Sequence, residues 1–255
     1  MDDFHDAEEF SQGTNEEVHK PTYISKDGFV QTPIIRGGTE VTPLYFKANL
    51  FGGIICGGYA RWMCSPADQV VPAGDVDVYF PSESGFEGMK QSLLNELLTI
   101  KHENDISVTF ALADEDSKFR GCPSIQLIKP IKEGRVVSIG SMEDILSNFD
   151  FTVVRAGMVD RDFCMVDADF MHDERSKILR LKNIHCPVGS TLRCMKYSKK
   201  GYWLPPLQSL QLFFDWDNRD DSYKIKLIEF VTTANNGHGL TQKEIDEMES
   251  MMRID

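Results

Sequence analysis

The chain has 255 residues, 41% of them hydrophobic and 26% charged, which is the composition of a folded globular protein able to bury one large core or two smaller ones. Its 40 acidic residues outnumber 27 Lys and Arg, and the formal net charge of -13 argues against a protein that coats duplex nucleic acid through general electrostatics. No apolar run approaches the roughly 18 residues that a membrane-spanning helix needs, so no membrane partner is expected.

Residues 1–22 are polar and acidic and lack periodicity, which predicts a flexible tail. The opening MDDFHDAEEF is acidic where a signal or transit peptide would be basic or apolar. From Tyr23 to Leu50, GFVQTPIIR and TPLYFKANL read as β-rich pieces punctuated by Gly28, Pro33, the Gly37-Gly38 pair and Pro43. GGYARWMCSP follows, a short helix opening at Gly57-Gly58 and ended by Ser65-Pro66, because a residue before proline is pushed out of helical geometry. No separate helix is evident ahead of that glycine pair.

DVDVYF reads as a strand with Val76 and Val78 on one face and Asp75 and Asp77 on the other. In SGFEGMKQSLLNELLTIKHEN, the apolar residues Phe86, Met89, Leu93, Leu94, Leu97 and Ile100 recur at helical spacing. Strands are predicted at ISVTFALA and SIQLIKPI, then a helix opened by a Ser141–Asp144 capping box, then strands at FDFTVVRAGMV and DFCMVD. Beyond about Asp167 the pattern is helical: ADFMHDERSKILRL, GSTLRCMKYSKKGY, LQSLQLFFDW, a segment around 221–235, and a last helix from a Thr241–Glu244 capping box. The expected class is α+β, a mixed sheet flanked by helices and followed by a mostly helical C-terminal part.

Aspartate is a poor strand former, so the Asp75–Asp77 pair calls for a reason. At a side-chain period of two, both carboxylates leave the same strand face and can share a hard divalent cation, which relieves their mutual repulsion. An exposed face that happens to be acidic would explain an isolated D-x-D equally well. Gly57-Gly58 lets backbone N–H groups approach a phosphate at a helix start, or merely makes a tight turn. Asp150, in NFDFTVVR, is a third acid beside an apolar strand, and three such groups on neighbouring strands suit two-metal phosphoryl transfer.

Gly57-Gly58, the helix after it, DVDVYF, SIQLIKP and ILSNFDFT together resemble the DNA polymerase β-like nucleotidyltransferase superfamily over roughly residues 50–165. That superfamily's signature is a Gly-Gly or Gly-Ser, a downstream Asp-x-Asp or Asp-x-Glu, and a later third acid. RCMKYSKKGY resembles the basic helix that follows the catalytic domain in viral and phage-encoded members and in tRNA-nucleotidyltransferase-like proteins. The chain departs from the pattern in its long gap from Gly58 to Asp75, filled by SPADQVVPAG.

The resemblance implies a nucleotidyltransferase catalytic domain at 23–166 and a helical domain at 167–255. It implies that Asp75, Asp77 and Asp150 hold two Mg2+ ions and carry catalysis, with Gly57, Gly58, Arg61, Lys196 and Tyr197 binding an NTP. The expected reaction moves a nucleoside monophosphate to a hydroxyl, at a nucleic-acid 3' end or on a protein side chain, and releases pyrophosphate. The segment 175–200, which carries eight Lys and Arg and no acid, is the candidate contact for a single-stranded RNA or DNA end or a protein acceptor. A different class of reading keeps the same fold as a structural or regulatory module, for example in a viral assembly, docked through the acidic tail.

Six cysteines without a C-x-x-C pair read as reduced thiols, which suits a cytoplasmic protein, in the host cytoplasm if viral. His172, His185 and Cys186 lack the spacing of a tetrahedral zinc site, and no local signature singles out a Cys–His nucleophile.

Overall fold

The computed structural model describes residues 25, 28–36, 42–66, 75–96, 98–111, 124–130, 138–235 and 241. The acidic segment 1–22, positions 67–74 of the long gap, Leu97 and the helix expected after Thr241 lie outside them.

The strands are β1 (Phe29–Pro33), β2 (Ile54–Cys56), β3 (Val76–Tyr79), β4 (Thr99–Glu103), β5 (Ser107–Ala111), β6 (Ser124–Ile128), β7 (Ala156–Met158) and β8 (Phe163–Asp167). They form one sheet in the order β1-β8-β7-β2-β3-β6-β5-β4. The β3–β6 pair is parallel and every other pair is antiparallel, so the sheet is mixed as expected.

Alternation along the strands sorts side chains onto two faces. One face carries Ile55, Val76, Val78, Val108, Phe110, Ile125, Leu127, Ala156, Cys164 and Val166, all buried. It is covered by α1 (Thr42–Leu50), α2 (Gly58–Cys64) and α3 (Glu83–Asn95), which bury Leu44, Tyr59, Met63, Phe86, Met89 and Leu93 against it. The other face carries Phe29, Cys56, Tyr79 and Ile128, and a second core forms there. That core draws on α4 (Met142–Ser147), on residues 149–154, on the stretch after α5 (Phe170–Ser176), and on α6 (Pro187–Ser198) and α7 (Pro206–Asp217). A last described helix, α8, spans Asp221–Asn235. No helix among the described residues is long and apolar enough to cross a membrane.

Local signals account for several of these elements. Ser65 stops α2 at ψ 146°, the extended geometry expected ahead of Pro66. Ser141 accepts from the Asp144 N–H while the Asp144 side chain accepts from the Ser141 N–H, the reciprocal cap read from the sequence.

Elsewhere packing overrode the sequence pattern. TPLYFKANL is a helix and not a strand: Leu44 and Ala48, four residues apart, both bury against the sheet, and Pro43 falls in the first turn, where no N–H is missed. A helix therefore does precede the glycine pair. The apolar stripe of α3 ends before Ile100, which lies in β4 and is 38% exposed, because Thr99–Glu103 pairs with β5 along the sheet edge. Of FDFTVVRAGMV only Ala156–Met158 joins the sheet; Thr152–Val154 is a single 3-10 turn. The helix of ADFMHDERSKILRL closes at Ser176, where Lys177 adopts φ 54°, and the chain runs on extended, bridging Leu181 to Phe151.

Candidate active site

β2 ends at Cys56 and the chain turns at Gly57 into α2. Gly57 has φ 73° and ψ -138°, a backbone region that glycine alone enters without strain. Its N–H donates to the Ala156 carbonyl at 2.8 Å, fixing the turn to β7. A Cβ built on Gly57 would lie 3.5 Å from Asp77 Oδ2 and 3.4 Å from the Phe149 ring, whereas one on Gly58 would meet nothing within 4 Å. The turn therefore lies against the Asp77 carboxylate and opens outward at Gly58.

Asp77 stands opposite Cys56 on β2 and Gln126 on β6. Gln126 in turn faces Thr109 on β5 and donates from Nε2 to Ser107 Oγ at 2.8 Å. Cys56, Asp77, Gln126 and Thr109 thus form a row across four strands, polar where the opposite face is apolar. Burial, and then the Asp77 charge, push the Cys56 thiol well above its usual value, which keeps it a neutral neighbour. Asp75, immediately before β3, shares the face of Asp77, and both are half-buried, open to water and ions.

Asp150 is placed differently. It is 4% exposed, and its Oδ2 accepts from Arg193 Nε of α6 at 2.7 Å. Its carbonyl accepts from the Lys182 N–H at 2.8 Å. Burial, and then the Asp150 charge, push the Cys194 thiol up to about 11. Among the described residues, which include Asp75, Asp77 and Asp150, no three His, Cys, Asp or Glu side chains gather to hold a metal ion. Asp150 faces Arg193 of α6, and the neighbouring residue, Phe149, is the one that reaches Gly57.

Arg61 also differs from the expectation of a phosphate-facing cation. It is 1% exposed, and its Nη1 donates to Tyr202 Oη at 2.8 Å and lies 3.3 Å from Glu174 Oε1. The Tyr202 hydroxyl donates to Glu174 at 2.6 Å, and Lys177 Nζ lies 3.3 Å from the same carboxylate. Burial pushes the Tyr202 phenol well above its usual value against the opposing pull of Arg61, so it stays a donor. This cluster ties α2 to α5 and to the chain after α6, and the rings of Tyr197 and Tyr202 flank the guanidinium at 5.7 and 5.9 Å.

Tyr197 is 5% exposed and packs edge-on against Tyr202, centroids 5.3 Å apart, so its ring belongs to the second core and offers no face to a base. Lys196 beside it is exposed. Lys200, two residues past α6, is half-buried with its ammonium 5.3 Å from the Tyr197 ring centroid. Burial, Arg61 and Lys196 lower its pKa, partly offset by the nearby charges of Asp75 and Glu174. The structure thus sets Gly57 against Asp77 and brings Lys200, past the end of α6, within electrostatic reach of Asp75, a surface we call the candidate cleft, while Asp150, Arg61 and Tyr197 are buried beside it. Glu174 and Tyr202 were not singled out by sequence, and Lys200 was read only as part of the basic 175–200 segment.

No protein-family model matches the chain, and no curated protein matches it. Solved structures with similar backbones are CCA-adding and tRNA nucleotidyltransferase enzymes. A CCA-adding enzyme in complex with ATP is 12% identical with a TM-score of 0.49, covering 84% of this chain and 51% of its own. The Thermotoga maritima CCA-adding enzyme complexed with tRNA is 15% identical with a TM-score of 0.49, covering 71% and 44%. A tRNA nucleotidyltransferase complexed with a primer tRNA and an incoming ATP analogue is 16% identical with a TM-score of 0.47, covering 65% and 47%. This chain spans about half the length of these proteins.

Proposed function

We propose that the protein transfers a nucleoside monophosphate from an NTP to a hydroxyl acceptor with release of pyrophosphate. The observation that carries this reading is the half-exposed Asp75–Asp77 pair beside the positive-φ turn at Gly57, with the basic end of α6 across the cleft. A binding face needs no such juxtaposition, whereas nucleotidyl transfer needs carboxylates, a close backbone approach and cations together.

Two hard carboxylates on one strand face fit magnesium, which is commonly held by one or two carboxylates with water and substrate phosphates completing its shell. Asp75 and Asp77 would hold it, and when bound it supplies charge neutralisation on the reacting phosphate. Asp150 is not required as a ligand in this arrangement. Its part is to anchor α6, through Arg193, so that the helix end faces the two carboxylates. Gly57 lets the chain pass flush with Asp77, and the open side of Gly58 leaves room for a phosphate. Arg61, held by Glu174 and Tyr202, braces α2. Lys196 is exposed near the cleft and is available to the substrate.

The acceptor we favour is a single-stranded nucleic-acid end, because unpaired cations on the end of α6 can follow a phosphate backbone locally despite the net charge. The test is incubation with magnesium, each labelled NTP and a panel of RNA, DNA and protein acceptors. The parent should transfer label, and Asp75→Asn should lose about 100-fold or more of that rate with its melting temperature kept. Transfer at the parent rate by Asp75→Asn would refute the site. A parent that binds NTP and transfers nothing would leave the regulatory-module reading, which the engagement of Asp150 by Arg193 favours.

A further inference from the structure

Of the cations around the cleft, Arg61 is committed to Glu174 and Tyr202, and Arg193 to Asp150. Lys200 differs from both. It is half-buried against the Tyr197 ring, and among the described residues no carboxylate lies within ion-pair distance of its ammonium. A half-buried cation that has a ring beside it but no counter-charge in contact is costly, and the cost is relieved by an anion. Arg61 and Lys196 lie close enough to raise the local positive potential further, and Asp75 and Glu174 close enough to offset part of it. A bound triphosphate beside Asp75 and the open side of Gly58 would supply the missing negative charge.

We infer that Lys200 is the residue that anchors the triphosphate of the incoming nucleotide, in place of the buried Arg61. The inference rests on the nucleotidyl-transfer reading and names the cation of that same site. Lysine suits the position: a compact ammonium on a flexible stem can follow the phosphates, and the face of Tyr197 holds it ready without competing as a base. Tyr197 thereby acts on the nucleotide only through Lys200.

Equilibrium binding of ATP, ADP and AMP to the full chain, with magnesium and without acceptor, tests this apart from turnover. Lys200→Met should weaken ATP binding about tenfold or more and flatten the preference for ATP over AMP, since a charge-assisted contact to phosphate is lost. Lys200→Arg should recover part of it. Lys101→Met, the same change of charge on the exposed edge strand β4, should bind ATP as the parent does. Equal ATP affinity in the parent and Lys200→Met would overturn the role of Lys200 while leaving the nucleotidyl-transfer reading standing. A parent that binds none of the four common NTPs would overturn both. Melting temperatures of the variants separate lost contact from lost fold.

Discussion

The start of β3 and the stretch 149–155 each set aspartate against apolar strand residues, but the two regions put the acid to opposite uses. Asp75 and Asp77 are half-buried at the edge of the second core, beside a glycine turn. Asp150 is buried under α6 with its Oδ2 on Arg193, and two further acids are likewise buried against arginines. Asp173 accepts from Thr152 Oγ1 at 2.7 Å and from Arg180 Nε and Nη2 at 2.8 and 2.9 Å, and Asp167 pairs with Arg155 at 2.8 Å. The difference teaches that burial depth and a buried arginine, not residue type, mark an acid that fastens helices.

The sharpest way to break the fastening region is Glu174→Ala, which leaves the buried Arg61 and Tyr202 without their common acceptor. Removing one partner of a buried pair costs about 3–5 kcal/mol, so urea unfolding should show a loss of that size. A loss below about 1 kcal/mol would mean that the cluster relaxes to water at little cost.

Next comes the direct contrast between acids. Asp150→Asn weakens a charge-assisted bond to Arg193 and should lower stability by about 1.5–3 kcal/mol, whereas Asp77→Asn, half-exposed, should change it by less than about 0.5 kcal/mol. Reversed magnitudes in paired denaturation curves would exchange the roles assigned to the two positions. A smaller loss than at Asp150 is expected at Ser141, where Ser141→Ala removes one side of the α4 cap for about 1 kcal/mol, again by urea unfolding. Because α4 packs beside Phe149 and Arg155, that loss should fall on stability and leave ATP affinity unchanged.

Much of the site was legible in the sequence because its signals are local. The Gly-Gly pair, the Ser-Pro stop, the D-x-D alternation and the Ser141–Asp144 box each depend on backbone geometry within a few residues, and each lies where the pattern placed it. The functional share of the acids was less legible. Asp150 precedes an apolar run just as Asp75 does, and nothing nearby in sequence announces that Arg193, forty-three residues on, meets its carboxylate. Arg61 was likewise read one helical turn past the glycines, but its partners come from residues 174 and 202.

The sequence by itself determined which face of each strand is apolar, where the acidic pair stands and where a basic helix end follows, since period-two and period-3.6 patterns and caps are written in neighbouring residues. Tertiary structure alone decided that TPLYFKANL is helical, that Asp150 meets Arg193 under α6, and that Lys200 packs against the Tyr197 ring. These outcomes turn on which distant groups share a buried volume, and a charge takes its meaning from the partner it meets there.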